Sequence, residues 1–222
     1  MTGVIPNLRD RSRDSLRTVC LLCGGYPGTS AEFEKSAAEL GRAIALEGIH
    51  LVYGGSVGDL TGTVAIAAAE CGGRVTAVLA HPGGTNTNRL PFADDFVIAA
   101  DPQARKRTMF DRADAFIALP GGVGAMEELA EIVALHKQEL VRKPLLIANF
   151  GKFWNPLLDL LMYLRSSGFI CGEALDSCLV TESPKAILPM LGVALVVNDQ
   201  HGIANANGAI AVHSSIAGAL NA

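Results

Sequence analysis

The sequence predicts an α/β fold: a mostly parallel sheet with helices on both faces. Three observations carry this expectation. From residue 18 onward, short apolar runs alternate with longer segments of helical periodicity, the pattern of successive βαβ units. Hydrophobic residues make up 50% of the 222 and charged residues 18%, against roughly 25% charged in an ordinary soluble domain. There is therefore enough apolar surface to bury strands on both sides. Glycine, 24 of 222, falls largely in clusters between a strand and the helix that follows.

Residues 18–23 (TVCLLC) read as a buried strand, followed by the turn Gly24-Gly25-Tyr26-Pro27-Gly28. A helix is predicted over 31–47. Phe33, Ala37, Leu40 and Ile44 recur at helical spacing, Thr29 with Glu32 forms a capping box, and Gly48 ends it. Residues 49–53 form the second strand, which runs into Gly54-Gly55. An alanine-rich helix over 60–71 stops at Gly72-Gly73, and 74–80 is the third strand. Pro82, Gly83, Gly84 and Pro91 make 81–95 a loop. A strand over 96–100 and a helix over 103–112 precede the strand 115–119 (AFIAL), which leads into Pro120-Gly121-Gly122. A long helix follows over 125–140. Residues 145–148, 153–166, 177–180 and 183–191 continue the alternation. One domain is expected over 18–198, with a polar tail at 1–17 and a small, polar tail at 199–222 that stays out of the core. No internal boundary or repeat is visible.

Charge and composition narrow the function. A net charge of −4 argues against a partner bound by phosphate neutralisation along a nucleic acid. Arg9, Arg11, Arg13 and Arg17 are interspersed with Asp10 and Asp14, which reads as a solvated tail. No apolar leader follows it, and no run is long enough to span a membrane, so a cytoplasmic protein is expected. Five cysteines are too scattered for a disulfide framework. Cys20 and Cys23 have CxxC spacing, yet residues three apart on a strand face opposite sides, so buried structural thiols are expected. His50, His81, His136, His201 and His213 form no ligand pattern. No metal and no cofactor are expected.

Three predicted strand ends carry glycine clusters: Gly24-Gly25, Gly54-Gly55 and Gly121-Gly122. An open parallel sheet binds ligands beyond the carboxyl ends of its strands, near the reversal of strand order. In Leu119-Pro120-Gly121-Gly122-Val123-Gly124-Ala125-Met126-Glu127-Glu128, glycines let consecutive N–H groups approach an anion, and the helix start adds positive partial charge. A lone glycine pair would suit a tight turn without a ligand. Three glycines within four residues favour a phosphate. Glu127 and Glu128 diverge by about 100° around the helix, so one faces the pocket and the other is free to complement the dipole. A carboxylate there suits binding ribose hydroxyls, positioning water, or stabilising an oxocarbenium-like centre. In Arg105-Lys106-Arg107-Thr108-Met109, Arg105 shares a face with Met109 while Lys106 and Arg107 diverge. An arginine facing the pocket could fork onto a phosphate or ribose oxygen, and a solvated basic face is the competing reading.

Together these residues resemble the Lonely-Guy (LOG) family of cytokinin riboside 5′-monophosphate phosphoribohydrolases, long labelled lysine decarboxylases. The family motif P-G-G-x-G-T-x-x-E is matched from Pro120 to Glu128 with one change, and R-K-x-x-M by Arg105, Lys106 and Met109. Cys23-Gly24-Gly25, Val52-Tyr53-Gly54-Gly55, Lys143-Pro144, Asn149 and Gly168-Phe169-Ile170 also fit, so the likeness covers about residues 18–192. The resemblance implies a Rossmann-like, doubly wound fold and a homodimer with active sites near the subunit interface. It implies hydrolysis of the N-glycosidic bond of a nucleoside 5′-monophosphate to free base and ribose 5-phosphate. On this resemblance Arg105 and Glu128 are the catalytic pair. The phosphate and substrate contacts come from Gly24, Gly25, Gly54, Gly55, Lys106, Pro120, Gly121, Gly122, Val123, Gly124 and Ala125. Ala125 stands where the family has threonine, which implies one lost hydrogen bond to a charged group, on the order of 1.5–3 kcal/mol. Ser56 and Asp59 replace glycines, so the second loop is expected to be stiffer and more negative. The alternative from another class is a non-catalytic carrier of a nucleotide or molybdenum cofactor on the same fold.

Overall fold

Strands that are apolar on both faces can be satisfied only between two helical layers. The computed structural model, which describes residues 16–22, 25–80, 93–138, 143–170 and 178–205, has that arrangement. The elements run β1 (Thr18–Leu22), α1 (Ala31–Leu46), β2 (His50–Tyr53), α2 (Leu60–Glu70), β3 (Val75–Ala80), β4 (Asp95–Ala99), α3 (Pro102–Arg112) and β5 (Ala115–Ala118). There follow α4 (Val123–Lys137), β6 (Leu145–Ala148), a 3-10 turn (Phe150–Lys152), α5 (Asn155–Ser166), β7 (Cys178–Thr181) and α6 (Pro184–Asn205). The strands form one sheet in the order β4-β3-β2-β1-β5-β6-β7, and every pair is parallel. The sheet is therefore doubly wound, and wholly rather than mostly parallel.

Alternation along the strands divides the core. Val19 and Leu21 of β1, Leu51 and Tyr53 of β2, and Ala115 and Ile117 of β5 face one side, where Leu40 and Ile44 of α1, Val64 of α2 and Ile187 and Leu191 of α6 pack. Cys20, Leu22, Val52, Phe116 and Ala118 face the other, against Met109 and Phe110 of α3, Leu129 and Ile132 of α4 and Trp154 beside α5. β1 is central: Cys20 pairs with Val52 on one flank and with Phe116 on the other. The chain turns to one face after β1 and to the other after β5. The reversal of strand order thus falls between β1 and β5, where a crevice opens at their carboxyl ends.

Several boundaries differ from the sequence reading. Ser30, not Thr29, caps α1: its backbone is extended and its hydroxyl accepts from the Glu32 amide at 3.3 Å. Helix α4 starts at Val123, two residues before the expected start, because Gly122 adopts the extended N-cap conformation. Helix α6 passes Pro189 and Gly192 and runs to Asn205, well beyond residue 191 and into the stretch expected to be tail. Its buried residues Ile187, Leu188 and Leu191 lie in the first half, whereas Val193, Val196 and Val197 are exposed. Exposed valines at these positions add nothing to a buried 3.6-residue stripe. Most of the predicted loop 81–95, Cys23, Gly24 and the chain before residue 16 and after 205 lie outside the described residues.

Candidate active site

At the crevice, three segments meet above the end of β1. The first is the junction after β2. Gly54 brings its carbonyl to the surface of the pocket, and Gly55 holds φ = +75°, which a residue with a Cβ rarely adopts. A Cβ on Gly54 would stand 2.3 Å from Nη1 of Arg105, so glycine here makes room for the guanidinium.

The second segment is α3. Asp101 caps it, accepting from the Ala104 amide at 2.7 Å, and Pro102 opens its first turn. Met109, one turn after Arg105, is buried in the core, which turns Arg105 toward the crevice. Arg105 donates from Nη1 to the Gly54 carbonyl at 2.9 Å. Its Nη2 lies 3.9 Å from Oε1 of Glu128. Because β1 stands between β2 and β5 in the sheet, this one side chain bridges the junction after β2 and the helix after β5, across the end of β1.

The third segment is the start of α4. Its N-cap is a glycine with no side chain to supply an acceptor, and Gly122, Val123 and Gly124 are exposed. The first intrahelical bond runs from the Met126 amide to the Gly122 carbonyl at 3.1 Å. The amides before it open an electropositive end toward solvent. No acid lies in that first turn. The earlier helix start puts Glu127 and Glu128 in the second turn, one turn deeper than a start at residue 125 would, and separates both carboxylates from the open amides.

The two acids diverge as expected. Glu128 is buried and faces Arg105, while Glu127 is 58% exposed and faces Lys106. Oε2 of Glu128 is buried without a hydrogen-bond partner among the described residues. Burial pushes the Glu128 carboxyl up from 4.5 to about 7, against the pull of Arg105, with Glu127 adding to the rise. The carboxyl is thus poised to change protonation state near neutrality, as a proton-handling group requires.

The predicted site residues separate into two groups. Arg105, Glu128, Gly54, Gly55, Pro120, Gly121, Gly122, Val123 and Gly124 converge on the crevice, and Gly25, with φ = +91° and an open Cβ direction, sits in the exposed loop after β1. Gly24 lies outside the described residues. Lys106 does not face the glycine turn: it is buried, and its ammonium meets Glu127 Oε1 at 2.6 Å and Glu131 Oε2 at 2.5 Å. Ala125 is fully buried in the core on the α3–α4 side, so its side chain packs, and only its amide belongs to the exposed turn. Asp59 is likewise reassigned. It is buried and caps α2, accepting from Thr61 Oγ1 at 2.6 Å and the Gly62 amide at 3.1 Å, so its charge is absorbed locally. The spacing D-L-T-G carries that cap signal, and Glu127 with Glu131 at i, i+4 marks the face that receives Lys106.

Lys143 and Asn149 brace the site. Lys143 donates to the Phe110 carbonyl at 2.7 Å, tying the end of α3 to the entrance of β6. Asn149 accepts from the Trp154 amide at 2.7 Å and shapes the turn into α5. Cys20 is buried beneath the pair; burial first, then the charge of Glu128, raises its thiol so that it stays protonated. Met126, Leu129, Val133, Leu157, Leu161 and Phe169 line an apolar groove of about 310 Å³ between α4 and α5. Among the described residues no group of three or more His, Cys, Asp or Glu could hold a metal ion, and no helix is long and apolar enough to cross a membrane.

The family model described as "Possible lysine decarboxylase" matches residues 61–191. A cytokinin riboside 5′-monophosphate phosphoribohydrolase of Rhodococcoides fascians is 35% identical over 170 residues, 72% of this chain and 81% of that protein. One of Oryza sativa subsp. japonica is 33% identical over 162 residues, 73% of this chain and 67% of that protein. Among solved structures, the molybdenum cofactor carrier protein of Chlamydomonas reinhardtii superposes with a TM-score of 0.61 at 18% identity, covering 82% of this chain and 99% of that one. The molybdenum cofactor binding protein of Rippkaea orientalis gives 0.58 at 21%, covering 81% and 97%. At such identities the structural matches establish the Rossmann-like fold alone.

Proposed function

This chain belongs to the Lonely-Guy family of cytokinin riboside 5′-monophosphate phosphoribohydrolases, and we propose that it hydrolyses the N-glycosidic bond of a nucleoside 5′-monophosphate. The substrate is an adenosine monophosphate or an N6-substituted relative, and the products are free base and ribose 5-phosphate. One observation carries the reading: a buried carboxylate with a free oxygen, paired with an arginine, beside an uncapped helix start.

The phosphate docks on the amides of the Gly121–Ala125 turn. Arg105 is pre-oriented by the Gly54 carbonyl and uses its remaining N–H groups to fix the ribose ester. As the bond between C1′ and the base nitrogen breaks, its electron pair leaves with the base and positive charge develops at C1′. Ionised Glu128 stabilises that charge and takes a proton from the attacking water, whose oxygen bonds C1′, while the departing base takes a proton from solvent and Glu128 afterwards returns its own to solvent. Removing one carboxylate that serves both roles is worth several orders of magnitude in rate.

The test is release of free base from AMP and N6-substituted AMP by the purified protein, followed by mass spectrometry. Because free Glu128 must be ionised, kcat/KM rises with pH through an acidic limb near 7. Glu128→Gln and Arg105→Ala abolish release with folding intact. Tight nucleotide binding without any base released would favour the carrier reading instead.

We also propose a homodimer through α4 and α5. Support comes from the apolar groove between α4 and α5 and from Val123, Tyr163 and Phe169, which are 81%, 67% and 78% exposed in the single chain.

A further inference from the structure

Lys106 is the neighbour of Arg105 on α3, and Glu127 is the neighbour of Glu128 on α4. The two helices therefore meet through two adjacent cross-links: Arg105 to Glu128 at 3.9 Å, and Lys106 to Glu127 at 2.6 Å and Glu131 at 2.5 Å. The second is the tighter. A lysine buried to this degree requires compensation, and here burial lowers its proton affinity less than the bonds to Glu127 and Glu131 raise it. With two carboxylates on its ammonium, it is spent on α4 rather than offered to a ligand.

The groups that face Glu128 make the consequence definite. From α3 come Arg105 and Lys106, from α4 come Glu127 and Glu131, and from β1 comes the protonated thiol of Cys20. Take away Lys106 and three carboxylates stand within five residues of one helix, matched by a single guanidinium.

We propose that Lys106 is a positioning residue for the reacting pair, clamping α3 to α4 through Glu127 and Glu131 and cancelling the two carboxylates nearest Glu128 in sequence. It acts through Glu128 and not on the substrate. The inference rests on the assignment of Arg105 and Glu128 as the reacting pair.

The experiment compares wild type with Lys106→Met, Lys106→Arg and Lys106→Met/Glu127→Gln/Glu131→Gln. It uses two readouts: the acidic limb of kcat/KM for base release from AMP, and the titration of the Glu128 side-chain carboxyl by 13C NMR. Lys106→Met moves both midpoints up by about one pH unit, the scale expected for losing one close compensating charge. At pH 7, where the wild-type carboxyl is half ionised, kcat/KM drops about fivefold and recovers at higher pH. Lys106→Arg keeps the wild-type midpoints, and the triple variant, which removes the uncompensated acids, returns them to within a few tenths. An unmoved Glu128 midpoint in Lys106→Met overturns the proposal, whatever happens to the rate. So does a rate loss that is equal at every pH, which would mark a merely structural lysine. Should Lys106→Met fail to fold, the triple variant is compared with Glu127→Gln/Glu131→Gln, which keeps the lysine: the triple variant's Glu128 midpoint lies higher, and equal midpoints overturn the proposal. If wild type releases no base at all, the reading of the reaction falls, and the NMR midpoints still judge the clamp.

Discussion

Replacing Glu128 by glutamine should stabilise the protein above neutrality while abolishing its activity. The carboxyl ionises at about 7 in the folded chain and at 4.5 in the unfolded one. Between those values the native state holds a proton that the unfolded state has released, so stability falls as pH rises through the window. Below pH 4.5 both states are protonated and the group contributes nothing. Above 7 both are ionised, and the native state carries the full cost of a buried charge. A difference of 2.5 units at about 1.4 kcal/mol each gives about 3 kcal/mol. The side chain is only 9% exposed, so solvent screening removes little of this. Glutamine keeps the shape and cannot ionise. The assay is urea unfolding of wild type and Glu128→Gln at half-unit steps from pH 4 to 8.5, taking the difference at each step so that all other titrating groups cancel. The variant should gain about 3 kcal/mol on wild type between the two ends, or about 6–12 °C in melting temperature for a domain of this size. The glutamine leaves one polar atom unpaired just as the glutamate does, and that term is constant with pH. Refutation is simple: a difference that stays flat across the range, or that favours wild type as pH rises, means the carboxyl is not held neutral by its burial.

Three further outcomes follow from the same geometry. Gly54→Ala places a Cβ on the Arg105 guanidinium, a flexible side-chain end, so unfolding free energy should change by under about 1 kcal/mol while base release falls roughly 10–100-fold. Asp59→Ala removes the cap of α2 and should cost about 1–2 kcal/mol in unfolding experiments with KM for AMP unchanged; a large change in KM would mean that the Asp59 charge reaches the substrate. Phe169→Asp, at a position already 78% exposed, should leave the fold intact and convert the proposed dimer to monomer in sedimentation; a monomeric wild type would refute the proposed interface.

Much of the fold is legible in the chain because its main determinant is one-dimensional. Runs such as Leu145–Ala148 and the AFIAL segment are apolar at every position, which only a strand covered on both faces tolerates, and the glycine pairs mark where the chain leaves the sheet. The crevice residues are legible for the same reason: glycine clusters at strand ends, with an arginine one turn from a core methionine. What stays hidden is decided by packing. Lys106 and Arg105 are adjacent letters of one basic run, and only the docking of α3 on α4 sends one to a pair of carboxylates and the other to the crevice. Ala125 lies within the motif yet faces the core, because α4 begins two residues earlier than the apolar pattern suggests. Val193, Val196 and Val197 of α6 are exposed and so add nothing to the apolar period.

The same two-residue shift changes the chemistry of the site. Had α4 begun at Ala125, both glutamates would stand in its first turn and repel the phosphate proposed to dock on the exposed amides. With the helix starting at Val123, the first turn holds no acid and the carboxylates begin one turn deeper. Asp59, the other negative charge near the strand ends, is drawn into the cap of α2. On the proposed reading the crevice is thereby graded along α4, anion-binding at its mouth and carboxylate-lined one turn in, where Glu128 is buried with an oxygen that has no hydrogen-bond partner among the described residues. A sugar phosphate spanning one helical turn, about 5.4 Å, meets both ends of that gradient. Its ester would sit on the amides and its anomeric carbon beside Glu128. A free base or an unphosphorylated nucleoside would engage only the inner end, so nucleosides should show a KM raised well above that of their 5′-monophosphates; equal KM values for the two would mean the helix start takes no part in binding.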